Sequence, residues 1–324
     1  MIEVSHLSKR YGPLTAVDDV SFNVQSGEIL GFLGPNGAGK TTTMRVITGY
    51  MPATEGKVVV AGNDVFEQPL EAKRKTGYLP ETPPLYPDMT VREYLTFVAT
   101  IKGVRPNVRG RVDEVMKKVW VADMADRQCG KLSKGYRQRV GLGQAIIHEP
   151  EVLVLDEPTA GLDPKQIIET RQLIRELAGT HTIVLSTHIL PEVAQTCQRV
   201  VIINKGKVVA VDTPANLTSR LTGSVTIYVE VAGPAEQVQG ALEQVSSVTR
   251  VSVDHKKDDG ASFAVDSEKG VDVRRQLAAA VVGRGWGLLE LRPMRMSLED
   301  IFLSLTTAEE KTDEKTDSPA EVSQ

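Results

Sequence analysis

One short segment constrains the fold of this chain more than any other. Residues Gly34–Thr41 read G-P-N-G-A-G-K-T and fit the phosphate-binding pattern G-x-x-x-x-G-K-[ST]. The segment follows a continuously apolar run, Glu28–Leu33, that predicts a strand buried on both faces, and it leads into a predicted short helix, Thr41–Ile47. Backbone N–H groups of a glycine turn at a helix N-terminus bind phosphate oxygens. The order of strand, glycine turn and helix therefore predicts a phosphate site.

The residue types in this loop suit the chemistry of a nucleoside triphosphate. Glycines let the backbone approach phosphate oxygens because they carry no Cβ atom. Lys40 is expected to reach the β- and γ-phosphates, and the Thr41 hydroxyl is expected to ligate Mg²⁺. The predicted phosphate-binding residues are Gly34, Pro35, Asn36, Gly37, Ala38, Gly39, Lys40, Thr41 and Thr42.

Two further segments place polar residues at the ends of predicted buried strands. Asp156 and Glu157 follow the apolar run Val152–Leu155; Asp156 is placed to hold Mg²⁺ through water, and Glu157 to activate an attacking water. His188 follows the next predicted strand, His181–Ser186. Because the carboxyl ends of parallel strands face the ligand crevice of such a sheet, the phosphate loop, Asp156 and His188 are predicted to converge.

The first part of the chain has the element order of an α/β domain. Residues 1–220 are predicted to contain a parallel α/β core, because the buried strand runs Glu151–Leu155 and His181–Ser186 are separated by an amphipathic helix over Pro164–Ala178. The first strands of this region alternate apolar and polar residues and predict an antiparallel sheet, whereas residues 82–148 predict a mostly helical insert. Thr90 and Glu93 form a capping box at the first helix of that insert.

Residues 221–306 show a different order, β-α-β-β-α-β, which is the arrangement of a ferredoxin-like α+β domain. A closing helix is predicted over Ser297–Leu305, with apolar residues on one face. Residues 307–324 are polar and acidic and are predicted to be disordered. The other predicted elements are the strands Ser224–Val231, Thr249–His255, Ser262–Val265 and Leu288–Arg292 and the helices Ala235–Glu243 and Val271–Arg284.

Charge and composition exclude several functions. The chain carries 38 basic and 42 acidic residues, a net charge of −4. Six acids and two lysines between Glu309 and Glu321 account for that charge, so the remainder is balanced and offers no bulk charge for binding nucleic acid. No apolar run approaches the roughly 20 residues that span a bilayer, and Cys129 and Cys197 do not make a disulfide framework. A cytoplasmic location is expected.

Additional motifs stand in a specific order along residues 1–220. The segment L-S-K-G-Y lies between the two phosphate motifs, and A-G-L-D, ending at Asp163, follows Glu157. With His188 after the next strand, this order resembles the nucleotide-binding subunits of ABC transporters. The resemblance implies hydrolysis of ATP by a P-loop NTPase fold with a RecA-like parallel core, an antiparallel β subdomain and a helical subdomain. The segment L-S-K-G-Y, the signature, comprises Leu132, Ser133, Lys134, Gly135 and Tyr136.

The resemblance also implies roles for individual residues. Glu157 would be the catalytic base, and His188 the switch histidine. Tyr11 matches the aromatic residue that stacks on adenine. Ser133 and Gly135 would bind the γ-phosphate of an ATP molecule held by a second subunit.

Three positions depart from the family pattern. Lys134 and Tyr136 replace the usual glycine and glutamine of the signature, and Lys134 either adds positive charge near the γ-phosphate or lies in solvent. Glu81 stands where a glutamine is usual. Its carboxylate can ligate Mg²⁺ or orient water, yet it places negative charge beside the γ-phosphate. Coupling between ATP and a transport partner can therefore differ from the family norm.

The same resemblance implies two kinds of partner. Because the chain has one phosphate loop, two copies, or one copy and a homologue, would form a head-to-tail dimer around two ATP molecules. A separate membrane permease would be driven from the cytoplasmic face, with the helical insert and its loop 82–88 facing it. The C-terminal domain is similar to the small domain of ATPases whose permease is a separate chain, many of them exporters. It could regulate, dimerise or stabilise.

Other functions compete with transport. A soluble ABC-type ATPase that acts in translation normally has two cassettes in one chain, and one that acts on chromosomes has a long coiled coil; the sequence shows neither. A small-molecule kinase would leave residues 132–140 without a role. A module that binds ATP without hydrolysis is disfavoured by the presence of Lys40, Asp156, Glu157 and His188.

Overall fold

The computed structural model describes residues 1–221, 225–257, 260–268 and 271–294. The chain divides after Pro214 into two compact units, called here the N-terminal unit and the C-terminal unit. The sequence predicts this boundary at residue 220. The predicted closing helix Ser297–Leu305 and the tail 307–324 lie outside the described residues.

The N-terminal unit begins with an antiparallel sheet. Strand β1 pairs with β2 so that Ile2 lies opposite Val24 and Val4 lies opposite Phe22, and all four side chains are buried. This pairing confirms the predicted antiparallel sheet, and at its start alternate side chains of both strands point to the core. The sheet has the order β2-β1-β4-β5, with β1 at Ile2–Tyr11, β2 at Leu14–Val24, β4 at Glu55–Val60 and β5 at Asn63–Asp64.

The core of the same unit is a six-stranded sheet in the order β10-β9-β3-β8-β7-β6. All neighbours are parallel except β10, which pairs with β9 in the opposite direction. Every residue of β3, β7 and β8 is buried, as expected for strands covered on both faces. The bounds are β3 Ile29–Leu33, β6 Thr76–Leu79, β7 Val152–Asp156, β8 Thr182–Thr187, β9 Arg199–Asn204 and β10 Lys207–Asp212.

Helices belonging to this core and to a separate helical subdomain complete the N-terminal unit. The first subdomain helix starts with the predicted capping box, in which Thr90 and Glu93 satisfy each other's backbone N–H groups. The core helices are α1 Lys40–Ile47, α2 Pro69–Arg74, α6 Pro164–Ala178 and α7 Leu190–Thr196. The subdomain helices are α3 Val91–Ile101, α4 Val108–Lys118 and α5 Lys134–Ile146. The P-loop NTPase fold is confirmed.

The C-terminal unit has the predicted ferredoxin-like order. Its four-stranded antiparallel sheet runs β12-β13-β11-β14, and apolar residues of the helices and strands enclose the fully buried Phe263. The predicted helix from Val271 begins instead at Arg274. After α8, Pro214–Leu221, the elements are β11 Val225–Ala232, α9 Ala235–Glu243, β12 Val248–Lys257, β13 Gly260–Ser267, α10 Arg274–Val282 and β14 Gly287–Met294.

None of the helices within the described ranges combines the length and the apolar character needed to cross a membrane.

Candidate active site

A cavity of about 380 Å³ opens near the carboxyl ends of the core strands β3, β7 and β8. The phosphate loop follows β3, Glu157 follows β7 and His188 follows β8. These residues meet because parallel strands end at the same edge of a sheet. The lining residues are Ala16, Asn36, Gly37, Gly39, Lys40, Thr41, Thr42, Glu81, Glu157, Ala160 and His188. The cavity therefore brings together much of the phosphate loop, Glu81 and both predicted catalytic residues.

The phosphate loop packs so closely that two of its glycines have no room for a side chain. A Cβ atom on Gly34 would lie 2.4 Å from the Ile203 carbonyl oxygen, and one on Gly39 would lie 2.5 Å from the Ala16 carbonyl oxygen. Gly39 also has φ +104°, in the region that favours glycine, and it immediately precedes α1. The loop thus presents the N-terminus of α1 to the cavity, as phosphate binding requires.

Lys40 is buried and lies over the loop. Its Nζ donates hydrogen bonds to the carbonyl oxygens of Gly34, at 2.8 Å, and Pro35, at 3.1 Å. The same ammonium lies 3.2 Å from Oε1 of Glu157, and only 6% of the Lys40 side chain is exposed. Ala38, within the loop, is buried as well. The cation is therefore held at the cavity with little exposure to water.

Asp156 lies fully buried at the end of β7. Its Oδ1 accepts hydrogen bonds from the hydroxyls of Ser186 and of Thr41, the latter at 3.3 Å, whereas Oδ2 is buried and has no hydrogen-bond partner among the described residues. Burial is the largest cause that raises the pKa of this carboxyl, and the charge of Glu81 raises it further. A carboxylate oxygen without a partner beside a threonine hydroxyl is the oxygen donor set that Mg²⁺ prefers, so these residues fit that ion.

Glu157 and His188 form a hydrogen-bonded pair at the cavity wall. His188 Nδ1 lies 2.9 Å from Oε2 of Glu157. The backbone of Glu157 adopts φ +49°, an uncommon conformation for a residue with a side chain, and its N–H donates to the Ser186 carbonyl oxygen at 3.1 Å. Strained backbone of this kind concentrates at functional sites because the surrounding structure holds it in place.

Two predicted site residues lie apart from the cavity lining. Tyr11 is 44% exposed, and its hydroxyl lies 3.0 Å from the Met51 sulfur. Asp163 caps α6, where its side chain accepts a hydrogen bond from the Gln166 backbone N–H at 3.0 Å. Neither residue lines the cavity.

The signature also lies apart from the cavity lining. Ser133 caps the N-terminus of α5, and the Lys134 ammonium lies against Gly161, where an added Cβ atom would be 2.3 Å from Nζ. Tyr136 donates its hydroxyl to Asp123 at 3.0 Å, a partner that the sequence did not indicate. The buried Leu132 and the helical Gly135 complete the segment. In one chain, therefore, the signature does not contribute to the cavity that holds the phosphate loop.

Sequence reasoning missed Ser186 and Ala16. Ser186 donates to Asp156 and accepts from the Glu157 backbone N–H, so it links the two acids to β8. Its signal was a serine directly after the apolar residues 183–185 of β8. Ala16 lines the cavity from β2, and nothing in the sequence marks it.

Comparisons with known proteins agree with this geometry. Residues 17–160 match the ABC transporter family. The linearmycin resistance ATP-binding protein LnrL of Bacillus subtilis (strain 168) is 33% identical over 308 residues, which are 94% of this chain and 98% of that protein. The Nod factor export ATP-binding protein I of Burkholderia pseudomallei (strain 1710b) is 35% identical over 316 residues, 95% of this chain and 97% of its own.

A solved structure is similar as well. The dimeric structure of a bacterial ABC transporter cassette matches with a TM-score of 0.61 and 26% identity, over 66% of this chain and 98% of the cassette. The two relatives above extend over nearly the whole chain, so their likeness includes residues of both units.

Proposed function

The chain belongs to the ABC transporter family of ATP-binding proteins, and on that premise we propose that it hydrolyses ATP at the cytoplasmic face to drive export through a separate membrane permease. The observation that carries the proposal is that Lys40, Glu157 and His188 meet at one cavity, with Asp156 buried beside it. Export is supported by the names of the two relatives, a linearmycin resistance ATP-binding protein and a Nod factor export ATP-binding protein.

The residues of the cavity divide the work of binding and hydrolysis. The loop N–H groups and Lys40 hold the β- and γ-phosphates, since they place positive charge where phosphate oxygens lie. Mg²⁺, when bound, neutralises charge on those oxygens, and Thr41, Asp156 and Glu81 are the residues that would hold it. Glu157 takes a proton from the attacking water, and His188 holds the Glu157 carboxylate in place through its 2.9 Å hydrogen bond.

A second copy of the chain would complete the site. Ser133 and Gly135 start α5 but do not line the cavity of their own chain. In a head-to-tail dimer the signature of one copy would contact the γ-phosphate held by the other, with Asp163 near the junction and Tyr11 against the adenine. The dimeric cassette among the similar structures supports this arrangement.

The face proposed to contact the permease lies on the N-terminal unit between the core and the helical subdomain. A cavity of about 490 Å³ there is lined by three cationic side chains and by no carboxylate, and the lining belongs wholly to the described part of the chain. Tyr86 is two residues from the lining residue Pro84, and Ile101 precedes the lining residue Lys102. Both are exposed, as is Phe97, whose ring lies 5.5 Å from that of Tyr86. Exposed apolar surface beside uncompensated positive charge suits a protein segment that carries acidic residues. The three cations are Arg45, Lys73 and Lys102.

Co-purification from native membranes tests the transport proposal. The tagged Glu157→Gln chain, with ATP, is captured after detergent solubilisation beside a matched chain that also carries Tyr86→Glu and Phe97→Glu. We expect the first chain to recover a protein with several membrane spans in stoichiometric amount, and the second to recover much less. Recovery of only soluble proteins or ribosomes would contradict transport and favour a soluble ABC-type ATPase with a non-transport role.

A further inference from the structure

A buried glutamate outside the cavity joins the two segments that carry Glu157 and His188. Glu192 lies in the first turn of α7 and is 1% exposed. Its Oε1 accepts a hydrogen bond from the Thr159 hydroxyl at 2.6 Å, and its Oε2 accepts one from the Thr187 hydroxyl at 2.9 Å. Both threonines are buried, so the two oxygens of one carboxylate hold two hydroxyls away from water.

The positions of these threonines show which chain segments the Glu192 carboxylate connects. Thr159 follows Glu157 by two residues, and Thr187 immediately precedes His188. Because Glu157 and His188 are themselves joined by a 2.9 Å hydrogen bond, the chain segments and the Glu192 carboxylate form a closed ring. The distance between the two segments is thus fixed in two places, by the Glu157–His188 hydrogen bond and by the Glu192 carboxylate.

Arg171 provides the charge that makes this burial tolerable. Its Nη2 lies 3.6 Å from Oε1 of Glu192, and 13% of its side chain is exposed. A buried carboxylate without a cation or hydrogen-bond donors would be strongly destabilising. Arg171 lies on α6, the helix that Asp163 caps. The contact between Arg171 and Glu192 therefore also connects the end of the Glu157–Asp163 loop to the Glu192 carboxylate.

We propose that Glu192 is a positioning residue for ATP hydrolysis: it holds the Thr159 and Thr187 segments at the separation that keeps His188 against Glu157. This inference rests on the proposed function of Glu157 and His188. Glu192 does not line the cavity, so it acts on turnover without touching nucleotide. The expected signature is a lower kcat with an almost unchanged KM for ATP, because only the attacking geometry changes.

Threonine-to-valine substitutions test the proposal, because they keep shape and remove one hydroxyl each. We expect Thr159→Val and Thr187→Val each to lower kcat by about tenfold or more, with KM for ATP within about twofold. Thr159→Ser and Thr187→Ser, which restore a hydroxyl, should recover most of the lost kcat. Thr182→Val is the matched control. Thr182 is buried on the same strand, β8, but its hydroxyl accepts from the Gly27 backbone N–H at the opposite end.

The outcomes separate this inference from the proposed function. If Glu157→Gln abolishes turnover but the two valine variants match Thr182→Val in kcat, the positioning role is wrong and the catalytic assignment stands. If Glu157→Gln retains normal turnover, the assignment of the base itself is wrong. Should a valine variant fail to fold, Glu192→Gln serves instead, since it keeps the shape but loses the charge and one acceptor oxygen. An unchanged kcat in Glu192→Gln would also overturn the positioning role.

Discussion

The two units of this chain differ most in what they bury. The N-terminal unit buries charged residues, among them Lys40, Asp156, Glu157 and Glu192. In the described part of the C-terminal unit, the buried polar residues are two serines, Ser262 and Ser267, and the rest of the interior is apolar. Both units nonetheless form complete sheets with helices packed on them.

The N-terminal unit keeps ionisable groups out of water both at the proposed site and, with Glu28, away from it. Burial of a charge costs free energy unless partners compensate it, so buried charges do not by themselves stabilise a fold. In the C-terminal unit the described ion pairs, such as Arg274 with Asp272 and Arg292 with Glu290, are exposed and contribute little to stability. In the N-terminal unit, by contrast, Lys40, Glu157 and His188 line the cavity at the end of the parallel sheet.

The largest expected effect comes from removing the base. Glu157→Gln keeps the shape of the side chain but cannot accept a proton, so we expect steady-state phosphate release to fall by about 10²–10⁴-fold while ATP still binds. The control is Glu176→Gln, an exposed acid on α6, which should leave turnover unchanged. If turnover of Glu157→Gln stayed within a few-fold of the unmodified chain, Glu157 would not be the base, and the two units would no longer differ in this chemical role.

A core substitution in the C-terminal unit is expected to act on stability alone. Phe263→Ala removes a fully buried ring, which we expect to destabilise that unit by about 3–5 kcal/mol. Calorimetry should show an earlier melting transition, and ATP binding measured below that transition should stay within about twofold of normal. Phe263→Leu, a milder change, serves as the control. Equal loss of ATP binding and of C-terminal stability would show that the C-terminal unit supports the ATP site.

Acid is expected to destabilise the N-terminal unit through His148. Burial, together with the nearby charge of Lys102, lowers the pKa of this histidine to about 4, and its Nε2 lies 3.2 Å from the Thr76 carbonyl oxygen. The unfolded chain therefore binds the proton more tightly between about pH 6.5 and pH 4, so stability is full above that window and falls as pH decreases through it.

We expect this single group to remove about 2 kcal/mol of unfolding free energy between about pH 7.5 and pH 5. Urea unfolding of the unmodified chain and of His148→Gln at both pH values isolates its contribution. The same substitution at His255, an exposed residue of the C-terminal unit, is the control. Identical losses in the unmodified chain and in His148→Gln would contradict the assignment.

The smallest expected effects concern glycines of the C-terminal unit. Within the part of the chain that the structure describes, an added Cβ atom meets nothing within 4 Å at Gly240 or at Gly285, but of the two only Gly285 has a left-handed backbone, with φ +78°. Gly240→Ala, inside α9, should stabilise the unit by about 0.5–1 kcal/mol, and Gly285→Ala should destabilise it by about 1–2 kcal/mol. Thermal melting of the two variants measures both. Equal changes in stability for the two variants would show that backbone conformation does not determine the effect of alanine at these positions.

The sequence predicted the residues at strand ends, because local patterns encode them. A glycine loop after a buried strand, and Asp156 and Glu157 after another, follow from short segments whose partners need not be known. The Glu192 ring did not follow, since it depends on contacts between Thr159, Thr187 and α7 that lie up to 33 residues apart. Contacts across that distance leave no periodic signal along the chain.

Short elements were also difficult to predict. Strand β6 has four residues, and α7 has seven with a proline in its first turn, so neither shows enough residues for a period to emerge. The Tyr136 hydrogen bond to Asp123, a residue 13 positions earlier, could not be predicted either, because it joins two segments with no shared pattern.

If a second copy of this chain completes the ATP site, nucleotide should bring two copies together, and sedimentation velocity of the Glu157→Gln chain tests this most directly. We expect a dimer with ATP and Mg²⁺ and a monomer without nucleotide. Lys40→Ala in the same background should remain a monomer with ATP, since it removes the cation that holds the phosphates. A Glu157→Gln chain that binds ATP yet stays monomeric at saturating nucleotide would contradict the account.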